Sequence, residues 1–312
     1  FFFTQKTAYA MLRSLVGSEM CIRDSLLAAL CHASWSAIVK NSNNGLAMMA
    51  ITSIIEIVVF LPLVFTVPLP SLNIWYFIIA TTILHGFYRY SVVVSYQYGD
   101  LSFVYPIARG GSCLIIGLIT LLFIQNNINF TGVIGIIFIC FGLFMISFLS
   151  AKKFNKVAFI IAIITATLIA TYTLLDGIAV RSSENPFTFI YWMLLLNGIP
   201  MLIYASIAKN GLRKKESYNI KDGVVAGVLA ILGYGLVVWS MQFIEIAYVS
   251  SIREVSIVLA TIISLYILKE KDALKRIIPS FIIVSGAVSY THLRAHETPE
   301  HLVCRLVRVK KK

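Results

Sequence analysis

Residues 101–124 read LSFVYPIARGGSCLIIGLITLLFI. A bilayer core takes about 20 apolar residues to cross, and this run is long enough, yet Pro106, Arg109, Gly110 and Gly111 interrupt it near its start. A guanidinium at the bilayer centre costs roughly 2.5–3.5 kcal/mol on insertion scales, so such a residue faces a bundle interior or a water-filled cavity. Proline lacks an N–H and paired glycines weaken a helix. The backbone is therefore expected to break around Arg109 and present polar groups to a cavity. There Arg109 would offer its guanidinium to an anionic or carboxylate-bearing molecule. The alternative is a pairing with Glu56 or Asp176 that only locks helices together.

The rest of the chain places this run among others like it. Apolar residues make up 59% of the sequence and the mean hydropathy is +0.86. Apolar stretches of about 20 residues recur where a soluble core would alternate apolar and polar faces. Ten spans are expected, at 26–39, 46–67, 74–98, 101–124, 130–150, 156–179, 187–208, 223–244, 247–268 and 277–288. In lipid the backbone must satisfy its own hydrogen bonds, so helices are the default. The alternating ten-residue segments of a β-barrel are missing. The fold class is an all-α polytopic membrane protein with ten transmembrane helices.

The first and last spans are short because each abuts an end of different character. AYAMLRSLVGSEMCIRDS (8–25) and VSYTHLRAHETPEHLVCRL (288–306) resemble translated sequencing-adapter sequence. Residues 1–25 and 289–312 are accordingly set aside as artefactual extensions. Without their nine basic and four acidic residues the formal net charge falls from +12 to +7. Of the five cysteines, Cys31, Cys113 and Cys140 remain, without metal-ligand spacing, and are expected to pack as buried thiols. Basic residues sit in short connections, not on one face, which argues against nucleic acid as a partner.

The body contains an internal repeat. A shift of 144 residues lays 90–112 over 234–256, matching Tyr90 with Tyr234, Val93 and Val94 with Val237 and Val238, Arg109 with Arg253, and Ser112 with Ser256. Pro62 and Pro200 correspond at a shift of 138. Five spans per repeat is an odd number, so 26–150 and 156–288 would be inverted five-helix repeats with a site between them. Thirteen basic residues fall in the odd-numbered connections and Arg181 alone in the even ones. By the positive-inside rule the odd connections are cytoplasmic and both termini lie outside.

Seven ionisable residues interrupt the spans or their ends: Glu56, His85, Arg89, Arg109, Asp176, Arg253 and Glu254. His85 and Arg89 are four apart and share a helix face. Arg253 is the counterpart of Arg109, with Glu254 beside it, while Glu56, Asp176 and Glu254 are candidates for coupling or gating. Trp35, Tyr90, Tyr105 and Tyr234 join His85 and Arg89 as candidate cavity-lining residues, since Tyr90 and Tyr234 hold matching repeat positions.

HASWSAIVK (32–40), HGFYRY and GDLSFVYPIARG within 85–110, and AYVSSIREVSIVLATIISLYILKEK (247–271) resemble the EamA-like branch of the drug/metabolite transporter superfamily. The resemblance covers 26–288 and implies ten helices in two inverted repeats, a central cavity and alternating access. It also implies cytoplasmic termini, against the charge count.

The sequence thus points to a secondary transporter of a small polar metabolite bearing a carboxylate, phosphonate or similar anion, or a zwitterion. It would sit as a multi-pass protein in a bacterial inner membrane, coupled if at all to protons or sodium. Its partners are the substrate and the bilayer, and no cofactor or metal is called for. No P-loop GxxxxGK[ST] is present to hydrolyse ATP. Export of cationic or amphipathic compounds by proton exchange is the runner-up, and it requires a buried acid such as Glu56 to dominate the cavity while the arginines are paired away. A non-transporting accessory protein is a further alternative. An intramembrane enzyme would need paired carboxylates, a Ser/Lys dyad or a metal cluster, and no such set is visible.

Overall fold

Asparagines start four of the helices. Asn44, Asn155, Asn185 and Asn219 each turn a side-chain oxygen onto N–H groups of the following turn, which satisfies donors that a helix leaves unpaired. The computed structural model describes residues 23–119, 130–149, 155–208, 219–243 and 246–292. The described residues contain twelve α-helices and no strand. They are α1 (23–41), α2 (Gly45–Leu63), α3 (Leu72–Tyr98), α4 (Leu101–Ile119), α5 (Phe130–Leu149) and α6 (Lys156–Ser182), followed by α7 (Pro186–Asn197), α8 (Ile199–Ile207), α9 (Ile220–Ser240), α10 (Ile246–Arg253), α11 (Val255–Tyr266) and α12 (Ala273–His292).

Among the described residues, seven segments are long and apolar enough to cross a membrane: Gly45–Thr66, Leu72–Tyr98, Leu101–Ile119, Lys156–Ser182, Pro186–Ile207, Ile220–Ser240 and Val249–Tyr266. Val133–Ser147 is a shorter apolar helix. Outward faces carry exposed apolar side chains such as Phe65, Ile79, Phe87 and Phe144. Large apolar area left open on every side suits a lipid surrounding. Cys31 and Cys113 are buried as expected, but Cys140 is exposed on α5 beside Ile137, Phe138 and Phe141.

The helix bounds correct the sequence reading in three places. Helix α1 begins at residue 23 and α12 runs to His292, so both are longer than the short spans expected, and both continue into the segments set aside. The remainder of those segments, 1–22 and 293–312, lies outside the described residues, as does 120–124 of the opening stretch. The expected break at Arg109 is not there. Helix α4 runs unbroken through Pro106 and the glycines. Gly110 and Gly111 instead admit neighbours: a Cβ on Gly110 would lie 2.9 Å from Ile283 of α12, and one on Gly111 would lie 3.1 Å from Ala166 of α6. Breaks fall in the second half, between α7 and α8 at Gly198, and between α10 and α11 at Glu254.

Helix α4 is buried over most of its length, between α6, α5, α11 and α12. Helix α6 also packs on α3, α2 packs on α9, α7 and α8, and α5 packs along α12. One end of the bundle is tied by polar contacts. Lys40 donates to the carbonyls of Tyr96 and Gly99 at 2.6 and 2.7 Å. Glu270 accepts from the Leu101 and Ser102 N–H groups at 2.7 and 3.0 Å, across the start of α4. Arg276 donates to the Ser102 hydroxyl at 2.7 Å and to Asp100 at 3.3 Å. At the opposite end of α6, Arg181 donates to the Met241 carbonyl at 2.7 Å. The connections that follow α1 and α3 and that precede α12 therefore share one end.

Candidate functional site

A cavity of about 30 Å³ lies between the two halves of the chain. The first half lines it with His32 and Trp35 of α1, Glu56 of α2, and His85, Tyr88 and Arg89 of α3. The second half adds Tyr172 of α6, Leu194 and Asn197 of α7, and Ala230 and Tyr234 of α9. The helical period explains the selection, because 85, 88 and 89 fall on one face of α3, and 230 and 234 on one face of α9.

The charges at the cavity are paired. Arg89 Nη2 donates to both Glu56 carboxylate oxygens, at 2.5 and 2.7 Å, and Nη1 donates to the Ser53 hydroxyl at 3.1 Å. Gly198 makes room for this arrangement, since a Cβ there would lie 3.0 Å from the Cα and the carbonyl oxygen of Ser53. His85 Nε2 stands 3.3 Å from Asp176 Oδ2, which also accepts from the Tyr234 hydroxyl. Asp176 is fully buried, and its Oδ1 has no hydrogen-bond partner among the described residues.

A second charged cluster lies on α4, α10 and the turn before α11. Arg109 Nη2 is 3.7 Å from Glu254 Oε1 and donates to the Arg253 carbonyl at 3.5 Å. The Arg253 guanidinium lies over the Tyr234 ring at 5.9 Å. Neither carboxylate oxygen of Glu254, nor Arg109 Nε, nor Arg253 Nη2, has a hydrogen-bond partner among the described residues. These groups are buried and do not line the cavity.

All seven ionisable residues singled out in the sequence are buried. Trp35, Glu56, His85, Arg89 and Tyr234 line the cavity, and Asp176 sits directly behind His85 and Tyr234. Arg109, Arg253 and Glu254 gather in the second cluster. Tyr105 is buried but is not part of the cavity wall. Tyr90 is 44% exposed and packs against Tyr204, away from the cavity. The partner of Arg109 is Glu254, not Glu56 or Asp176, because those two acids are held by Arg89 and by His85 with Tyr234. Tyr172 and Asn197 are cavity residues that the sequence reading did not select. Tyr172 stands four residues before Asp176 on one helix face, and Asn197 is the polar residue before the Gly198 break, so spacing alone held both signals.

Residues 156–291 match the EamA-like transporter family. That family is one of membrane transporters of the drug/metabolite superfamily, and the match takes in every second-half helix that reaches the cavity. A solved structure titled only "Crystal structure of protein" superposes with a TM-score of 0.57 at 14% identity. The superposition covers 90% of this chain and 98% of that chain, so the likeness of fold extends well beyond the EamA-like half. No curated protein matched the chain. With seven apolar helical segments of bilayer length among the described residues and a second half that resembles a transporter family, the chain is an integral, multi-pass membrane protein.

Proposed function

We propose that the protein is a secondary transporter of a small zwitterionic metabolite, working by alternating access in a bacterial inner membrane. Its ten spans form two inverted five-helix repeats, 26–150 and 156–288, with α7–α8 and α10–α11 each counted as one broken span. The observation that carries the reading is the cavity wall, drawn from α1, α2 and α3 on one side and from α6, α7 and α9 on the other. Those helices correspond in order within the repeats, as a site at a repeat interface requires. Packing supports it too, since α2 on α9 mirrors α7–α8 on α3. Arg109 also touches Arg253, its own counterpart 144 residues on, as residues beside a pseudo-two-fold axis do.

The charge balance selects the substrate. One guanidinium and one carboxylate face each other at Arg89 and Glu56, and a zwitterion can insert between them, carboxylate to Arg89 and ammonium to Glu56. A simple anion would meet Glu56 with nothing to offset it. A cavity of about 30 Å³ holds a water or two. The surrounding helices must therefore part to admit a metabolite, and the breaks at Gly198 and Glu254 are natural hinges. The runner-up, export of cations against protons, is favoured by the pairing of Arg89 with Glu56 and of Arg109 with Glu254.

Thermal protection of the purified full chain by L-alanine, glycine betaine, acetate and tetramethylammonium separates these readings, since a ligand stabilises the state that binds it. A zwitterion is expected to protect the wild type and to lose its effect in the pair-deleted Glu56→Gln/Arg89→Leu variant. Protection by acetate alone, or by a zwitterion equally in both proteins, would sink the assignment.

A further inference from the structure

The two ends of the bundle are tied in different ways. Each half closes on itself alike. Lys40 at the end of α1 donates to the Tyr96 carbonyl near the end of α3, and Arg181 near the end of α6 donates to the Met241 carbonyl just after α9. The two carbonyls stand 145 residues apart, close to the repeat shift.

Contacts between the halves break that symmetry. Where α3 turns into α4, side chains of the second half hold the first. Glu270 accepts from the Leu101 and Ser102 N–H groups at 2.7 and 3.0 Å, at a helix start that leaves donors unpaired and favours negative charge. Arg276 of α12 is buried, donates to the Ser102 hydroxyl and to Asp100, and lies over the Phe103 ring at 5.4 Å. Toward the opposite end the halves meet through aromatic rings. Phe60 of α2 packs on Tyr191 of α7 at 5.7 Å between centroids, and Trp75 of α3 on Trp192 of α7 at 5.1 Å.

The sequence carries the same imbalance. At the shift of 144, Glu270 falls on Asn126 and Arg276 on Gly132, and neither counterpart bears a charge. The turn that aims Glu270 is strained as well. Lys269 takes a φ of 53°, in the left-handed region that favours glycine, while the Glu270 N–H returns to the Ser264 carbonyl at 3.0 Å to close α11. A side chain persists in such a backbone where its surroundings over-determine it.

We propose that Glu270 and Arg276, clasping the start of α4, form a one-ended latch between the halves, so that the protein rests with this end shut and opens more readily at the other. The proposal rests on the transport reading above, in which the halves part to admit a metabolite. Opening the latched end takes the Glu270 carboxylate off two N–H groups and Arg276 off Ser102 and Asp100. Opening the other end separates rings and unpairs no charge in the contacts named. Charge-assisted hydrogen bonds are the stronger kind, so the two openings differ in cost. Neither Glu270 nor Arg276 lines the cavity, so the latch sets access and not ligand choice.

Cavity accessibility tests this on the full chain, with Cys21, Cys140 and Cys304 replaced by serine. Leu194→Cys reports on the cavity, and Lys271→Cys, at an exposed position beside Glu270, marks the latched end. A membrane-impermeant maleimide is added to one side or the other of oriented vesicles. With the latch intact, Leu194→Cys should label faster from the side opposite to the one that labels Lys271→Cys. Glu270→Gln and Arg276→Met should each raise the latched-side rate roughly tenfold, as loss of charge-assisted hydrogen bonds would. Lys275→Met, which removes only the exposed pair with Asp272, should leave both rates unchanged. Equal rates from the two sides, or faster labelling from the latched side, overturns the proposal with no latch variant needed. So does a latched-side rate unchanged in both Glu270→Gln and Arg276→Met. In those cases labelling from both sides leaves the transport reading standing. Labelling of Leu194→Cys from neither side in any of these proteins removes the transport reading along with the latch.

Discussion

Two buried arginines of this protein live under different rules. Arg89 meets both oxygens of Glu56 within 2.7 Å and borders the cavity. Arg109 stands 3.7 Å from Glu254, does not line that cavity, and shares that acid with Arg253. The first arrangement is closely matched in charge and geometry, as a pair must be to offset its own desolvation. The second is under-supplied with counter-charge and leaves hydrogen bonds unmade among the described residues. A pair beside a cavity can open onto a ligand, whereas a starved cluster at the contact of α4 with α10 depends on every group it has.

The largest effect is therefore expected at Glu254. Glu254→Ala leaves two guanidinium groups buried without an acid, a loss of about 3–5 kcal/mol. Detergent-solubilised protein should show a collapsed thermal midpoint or a failure to run as a single species. A midpoint near wild type would erase the contrast between the clusters.

Double-mutant cycles sharpen it next. Arg89→Ala and Glu56→Ala should each cost about 3 kcal/mol, with the double variant recovering about 1–3 kcal/mol of the sum. The same cycle across Arg109 and Glu254 should return a smaller coupling, because the groups are further apart. Equal couplings would mean that both arginines are held alike.

Gly198→Ala ranks third. Its Cβ would press on the Ser53 backbone and disturb the Ser53–Arg89–Glu56 link, at about 1–3 kcal/mol. The loss should appear in thermal unfolding, and zwitterion protection should weaken with it. Tyr90→Phe comes last. That ring is half exposed against Tyr204, so the change should stay within about 0.5 kcal/mol and leave ligand protection untouched.

The helical nature of the chain was legible, because apolar runs of bilayer length admit little else. So was the burial of the seven ionisable residues, since each is too costly to leave in lipid. Which of them would share a cavity was not. The repeat shift of 144 placed Tyr90 over Tyr234, yet the inward faces of α3 and α9 correspond at 145, where His85 and Arg89 stand over Ala230 and Tyr234. One residue on a helix is about 100° of turn, which carries Tyr90 away from the cavity. The Pro106–Gly111 stretch misled for a related reason. Glycines read as a break were sites of close approach for Ile283 and Ala166, and the interruption fell instead beside Arg253, the partner of Arg109 in the repeat. Pattern along one chain reports which residues are unusual. Which neighbours they meet is set by packing between helices far apart in sequence.

The central claim is that the cavity between the halves is a solvated site that opens to both sides of the membrane. Leu194→Cys tests it most directly, since Leu194 lines the cavity but is buried, so that a thiol there is reached only when the cavity opens, while native Cys31 and Cys113 are buried and Cys140 is exposed on α5. In vesicles of known orientation, a membrane-impermeant maleimide should label the introduced thiol from either side, at a rate slowed by a protecting zwitterion. Labelling from neither side, or labelling indifferent to ligand, would contradict the account.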